Sequence, residues 1–143
     1  MLSNTTIYGI RALIYIADHS KDGKEYIPIN RLADDINLSF HFLTKILQKL
    51  THAKLLKSYR GPNGGVALVK QPEEISVYEI VQILETKDMF TECILGLPGC
   101  GHTDPCPFHE EWIPDREQLR ETFSSTNILD MAKKLKIKNK RLG

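Results

Sequence analysis

Nowhere does this chain carry an apolar run approaching the ~20 residues that a membrane-spanning helix needs. Met1 to Ser20 also lack a basic start, a separate apolar block and a small-residue cleavage site, so they do not read as a secretory signal. No internal repeat and no low-complexity tract appears. These absences point to a cytoplasmic globular protein with no membrane part. Its 143 residues, 41% hydrophobic and 26% charged, suit one compact domain with an appended element.

Cysteine is scarce and confined. The only three, Cys93, Cys100 and Cys106, fall within one short stretch. An odd count in one stretch argues against a secreted disulfide framework and for a metal or redox site in a reducing compartment. The close Cys-x-x-Cys knuckle common in zinc sites is missing.

Acidic residues are also missing where it matters. From Ser39 to Arg60 the chain has Lys45, Lys49, Lys54, Lys57 and Arg60 and no acid. From Asp88 to Glu121 it has eight acids and two arginines, and from Lys133 onward six bases and no acid. A net charge of +1 therefore conceals a basic middle, an acidic later segment and a basic tail. Local positive charge of this kind suits phosphate contact.

Hydrophobic spacing predicts a helix over Asn4 to His19, a turn at Asp22–Gly23, and a short helix over Ile29 to Ile36. Asn37–Leu38 breaks it, and Ser39 is placed to cap a third helix. Phe42, Leu43, Ile46, Leu47 and Leu50 form one apolar stripe of that helix; His41, Thr44, Lys45, Gln48 and Lys49 form the other face. Leu55–Tyr59 and Val66–Val69 read as a hairpin about the turn-rich Gly61-Pro62-Asn63-Gly64-Gly65. Ser76 caps a further helix. Thr91 to Pro107 reads as a loop, Trp112 to Phe123 as a helix with Pro114 in its first turn, and Thr126 as the cap of a last one. The fold class is mainly α with a small β-hairpin: a winged helix-turn-helix followed by a long helix.

A helix that enters a major groove needs an apolar back and a polar front. Ser39 to Leu50 has both. His41, Thr44, Lys45 and Gln48 suit base edges, with Ser39 at the helix start. Lys49 and Lys57 suit phosphates, and Arg60 beside Gly61, Asn63 and Gly64 suits a narrow minor groove. The alternative for these charges is a solvated face.

The cysteines are spaced Cys93, six residues, Cys100, five residues, Cys106, two residues, His109. Soft thiolates suit iron–sulfur clusters and zinc, and the surrounding glycines and prolines let a loop wrap a compact group. His109 is the natural fourth ligand; His102, closer to Cys100, would ligate under more strain. Three cysteines and one histidine favour a 2Fe–2S cluster, with 4Fe–4S the alternative. A zinc-stabilised loop is the non-sensing competitor. A small thiol oxidoreductase or cluster-delivery protein is the rival of another class, but no nucleophile–base pair stands out.

Tyr8 with Arg11-Ala12-Leu13, the Leu38-Ser39 helix start, the wing Arg60 to Gly65 and the cysteine loop ahead of Trp112 resemble the Rrf2 family of bacterial transcription regulators. The likeness runs from about Ser3 to Leu135 and is to the cluster-binding, IscR-like and NsrR-like branches. It implies a homodimer joined through Glu110 to Ser124, with Trp112, Leu119 and Phe123 at the interface. It also implies a roughly palindromic operator in double-stranded DNA, occupied according to cluster state. By position Cys93, Cys100, Cys106 and His109 match the IscR-like ligands. The NsrR-like branch takes an aspartate from the partner's first helix, where this chain has Ile7, which cannot ligate. Two departures stand out: the first cysteine gap is one residue longer than the IscR-like one, and Thr44 replaces a glutamate used in sequence discrimination. The expected organisation is a DNA-binding domain over residues 1–88, a cluster loop over 89–109, and a dimerisation helix with a basic tail over 110–143. The expected role is a redox, nitric oxide or iron sensor that acts as a regulator, such as a repressor, and is no enzyme.

Overall fold

A computed structural model describes residues 1–20, 25–101, 103–137 and 141–143. The expected turn at Asp22–Gly23 and the candidate ligand His102 lie outside the described residues. Helix α1 spans Asn4–His19, and Ser3 caps it by accepting the Thr6 N–H at 3.3 Å. Ala12 to Ile16 are all buried. A helix apolar on so many sides sits among others, and α1 packs against the third, fourth and sixth helices.

Helix α2 (Ile29–Asp35) leads into α3 (Phe40–His52) through Asn37, whose φ of 55° turns the chain left-handed. Asparagine tolerates that region better than most residues, which explains the break here. Ser39 Oγ accepts the Phe42 N–H at 3.2 Å and starts α3 as expected. Leu43, Ile46, Leu47 and Leu50 bury the back of α3, each contributing roughly 1.5–3 kcal/mol. Tyr8 meets Phe42 edge-on at 6.3 Å and carries the Arg11 guanidinium over its ring at 5.0 Å. These contacts tie α1 to α3.

Strands β1 (Leu56–Tyr59) and β2 (Gly65–Leu68) pair antiparallel, Leu56 opposite Leu68 and Tyr59 opposite Gly65. Ile27 adds a bridge on the far side of β2, with Ile27 N–H to Val66 O at 2.8 Å and Val66 N–H to Ile27 O at 2.9 Å. Flanked on both sides, β2 buries all four residues, whereas the edge strand β1 buries only Leu56. Gly65 is required by this approach: its φ is 150°, and a Cβ there would lie 2.0 Å from the Ile27 oxygen.

After a 3₁₀ turn at Pro72–Glu74, α4 (Val77–Leu84) begins under a Ser76 cap. Helix α5 spans His109–Ser125 and so starts one turn before Trp112. Pro114 is therefore inside the helix, not in its first turn, and leaves the Glu110 carbonyl without its usual intrahelical donor. The cap of α6 (Ile128–Ile137) is Asn127, whose Oδ1 accepts the Asp130 N–H at 2.9 Å. Thr126, the residue expected in that role, instead donates back to Thr122 O at 2.8 Å.

One core joins α1, α2, α3, the hairpin and α4, and Ile128 and Ala132 of α6 are in it. The segment after residue 110 thus divides: α5 leaves toward the cysteines and α6 returns to α1. A second, smaller core of Val77, Val81 and Phe90 is covered by Leu119 and Phe123 of α5. Among the described residues no helix is long and apolar enough to cross a membrane.

Candidate nucleic-acid interface and metal centre

The buried stripe of α3 leaves His41, Lys45, Gln48 and Lys49 exposed. Thr44 is half-buried, and its hydroxyl donates to Phe40 O at 2.8 Å. Between α3 and the wing runs a cleft of about 770 Å³, lined by Phe40, Thr44 and Gln48 on one side and Tyr59, Arg60 and Gly61 on the other. Lys45 and Lys49 line the opposite flank of α3, beside Ile83 of α4. Lys57 sits over the Tyr26 ring at 5.9 Å, and Asn63 is exposed at the wing tip. Gly64 closes the tip by donating to Gly61 O at 3.0 Å.

Sequence reasoning passed over Phe40 and Tyr59, which are 51% and 55% exposed in this cleft. The signal was present for Phe40, an aromatic that falls off the apolar phase of its own helix.

The three cysteines come together in the loop ahead of α5. Their sulfurs all lie within 4.8 Å of one another. His109, the first residue of α5, places Nδ1 3.7 Å from Cys100 Sγ. The Cys106 N–H donates to the same sulfur at 3.3 Å. The Leu97 N–H lowers the Cys93 thiol to about 7 against the opposing desolvation, helped by the Leu95 N–H and the other two thiols. For Cys100, the Cys106 N–H pulls the other way, but desolvation and the neighbouring sulfurs outweigh it and raise the thiol. Cys93 thus ionises more readily than a free thiol, and the thiolate is the form that binds metal.

A cavity of about 190 Å³ holds the sulfurs and is walled by α5. His109, Trp112, Arg116 and Arg120 line it, spaced to share one helix face. Arg120 donates from Nη2 to Phe90 O at 2.6 Å, and its Nε lies 3.5 Å from the Glu117 carboxylate. Trp112 Nε1, Arg116 Nε and Arg120 Nε are buried with no hydrogen-bond partner among the described residues. Trp112 lies against the cysteine cavity of its own chain, and Leu119 and Phe123 against α4 and Phe90. The two arginines on this stripe were passed over in the sequence because charge at helical spacing reads as solvated face.

The donor set fits a thiolate-bound centre: three soft sulfurs, one imidazole and unpaired N–H groups beside them. A single tetrahedral ion with metal–thiolate bonds of ~2.3 Å sets its sulfurs about 3.8 Å apart, so sulfurs within 4.8 Å of one another reach it with a small inward movement. A cluster needs the sulfurs to spread. The loop allows it, since Gly96, Gly99 and Gly101 have nothing within 4 Å of an added Cβ.

Known proteins share this fold. A family model described as Rrf2, iron-dependent transcriptional regulator, matches residues 2–134. "Protein aau3" of Rhizobium meliloti is 36% identical over 133 residues, covering 92% of this chain and 84% of that protein. The structure of CymR, the global cysteine regulator of B. subtilis, superposes with a TM-score of 0.77 at 28% identity over 93% of this chain and 96% of its own. IscR of T. potens superposes with the same TM-score, 0.77, at 25% identity over 100% of this chain and 93% of its own. A match running through both the helix-turn-helix and the cysteine loop makes this chain a member of the Rrf2 family, transcriptional regulators of winged-helix fold.

Proposed function

We propose that this regulator binds a roughly palindromic operator as a homodimer, and that an iron–sulfur centre at Cys93, Cys100, Cys106 and His109 sets operator occupancy. The observation that carries the reading is the convergence of three thiols and an imidazole at the first turn of α5. The family description as iron-dependent agrees with it. When bound, the centre supplies a redox- and iron-sensitive crosslink between the loop and α5. This reading implies a cytoplasmic protein without enzymatic activity.

The chain's own residues provide the coupling. His109 and Arg120 hold α5 against the loop and Phe90. Phe90 contacts Tyr78 of α4 at 5.0 Å between ring centroids and Phe123 of α5 at 5.8 Å. Helix α4 packs in turn on α1 and α3. A tilt of α5 therefore bears on the recognition helix through two packed contacts. Ser39 orders the start of α3; His41, Thr44, Lys45 and Gln48 meet bases; Lys49, Lys57, Arg60 and the wing residues Gly61, Asn63 and Gly64 follow the backbone and minor groove. Helix α5 buries no residue within one chain, as suits an element completed by a second copy through Trp112, Leu119 and Phe123.

The sulfur separation favours a second reading, a single zinc ion that stabilises the loop without sensing. Anaerobic purification followed by metal and sulfide analysis separates the two. Iron and sulfide in matching amounts with visible absorption supports the cluster, 2Fe–2S over 4Fe–4S. One zinc per colourless chain overturns it.

A further inference from the structure

The Arg116 and Trp112 side chains occupy an unusual place for donors. Both line the 190 Å³ cavity with the three sulfurs, and the buried Arg116 Nε and Trp112 Nε1 have no acceptor among the described residues. Leaving such groups dry and unpaired is unfavourable, and more so on a guanidinium. Arg120, one turn further along, meets that cost only in part: its Nη2 donates to the Phe90 carbonyl, while its Nε, 3.5 Å from the Glu117 carboxylate, makes no hydrogen bond among the described residues. The Phe90 carbonyl is thus engaged already. Of the other residues lining the cavity, which include Thr91, only the cysteines gain negative charge at the sulfur when a metal binds. A neutral thiol is a weak acceptor, while a thiolate that carries charge makes stronger, charge-assisted hydrogen bonds. Three thiolates on one divalent ion leave net negative charge facing this wall.

Resting on the metal centre proposed above, we infer that Arg116 and Trp112 are positioning residues whose N–H groups pair only with the negative charge of the loaded thiolate site. They hold the centre and make α5 itself responsive to its presence. Ligation by His109 fixes one end of the helix; these donors extend the grip one and two turns along, to the segment that leads into Arg120 and Phe90.

The test uses the full chain and zinc(II) as a diamagnetic probe of the thiolate site. Trp112 is the only tryptophan, so its indole N–H gives a single resonance, assigned by its loss in Trp112→Phe. On adding one zinc per chain, that resonance moves downfield and its exchange with solvent slows at least about tenfold. Arg116→Gln loses zinc to a chelator roughly 10- to 100-fold faster than the wild type, the range of other outer-shell partners. Arg116→Lys falls between, and zinc-free Arg116→Gln unfolds at the wild-type midpoint. An indole resonance unmoved by zinc overturns the inference. So does one already protected without zinc, which would mean that a second copy pairs it. An Arg116→Gln protein with wild-type zinc loss, or one unfolded without zinc, also overturns it. Failure to take up zinc at all sinks the metal-centre reading beneath it, a distinct result.

Discussion

The recognition helix and the cysteine loop hold their functional side chains in opposite ways. Helix α3 is anchored by Leu43, Ile46, Leu47 and Leu50, all 2% exposed or less. Its reading face is therefore set by folding alone. The loop buries Phe90 at its start, but Ile94, Leu95, Leu97 and Phe108 are 43–55% exposed. Its functional atoms are held by contacts among sulfurs and backbone N–H groups. The glycines repeat the contrast. A Cβ on Gly65 of the wing would strike the Ile27 backbone, while one on Gly101 of the loop meets nothing within 4 Å. The helix-turn-helix is complete when the chain folds; the cysteine loop, on the proposed reading, is completed by what it binds.

The largest effect that tests this contrast is on stability. Leu50→Ala is expected to cost about 2–5 kcal/mol through the cavity left in the core. Cys100→Ser in metal-free protein should stay within ~0.5 kcal/mol, as for surface changes. Urea unfolding of the two variants measures both, and a metal-free Cys100→Ser as damaged as Leu50→Ala would break the comparison.

The glycines give the next effect. Gly65→Ala combines a positive φ with a backbone clash and should cost about 1–3 kcal/mol, together with operator binding. Gly101→Ala should leave both unchanged. Thermal melting and duplex binding at fixed salt read the pair.

The smallest effect sharpens the boundary between the regions. Asp88 Oδ1 accepts the Phe90 N–H at 3.0 Å and a hydrogen from Gln82 Nε2 at 3.3 Å. Desolvation raises the Asp88 carboxyl, but the Phe90 N–H, Thr91, Gln82 and Arg120 outweigh it and lower it overall. A carboxyl lowered on folding adds stability above the ordinary carboxylate range and loses it as pH falls through the folded value. Asp88→Ala should therefore cost about 0.5–1.5 kcal/mol near neutral pH, and the difference from wild type should vanish in acid. Unfolding followed between pH 7 and 3 checks the sign.

Much of the reader was legible because local rules decide it. The bounds of α1, the Ser39 cap and the hairpin follow from periodicity, hydroxyl chemistry and turn residues, with strand ends shifted by one residue. The Ile27 bridge was not legible, since a single paired residue leaves no pattern. The proposed sensor loop was legible in its cysteines and histidine but not in its wall. Phe90 is buried by Tyr78 and Phe123, distant in sequence. Arg116 and Arg120 share the stripe of Trp112 and Phe123, but apolar periodicity does not count charged residues. The start of α5 was hidden because the loop reading runs to Pro107 and puts Pro114 in the first turn, although the helix begins at His109 and carries Pro114 inside it.

The most direct test of the central claim is operator affinity at fixed salt, measured with the centre intact and again after its removal. Differential affinity is expected, of the order of 5- to 150-fold, with DNA in turn stabilising the cluster state that binds it better. Equal affinity in the two states would contradict the account, leaving a reader and a metal site that share a chain without informing each other.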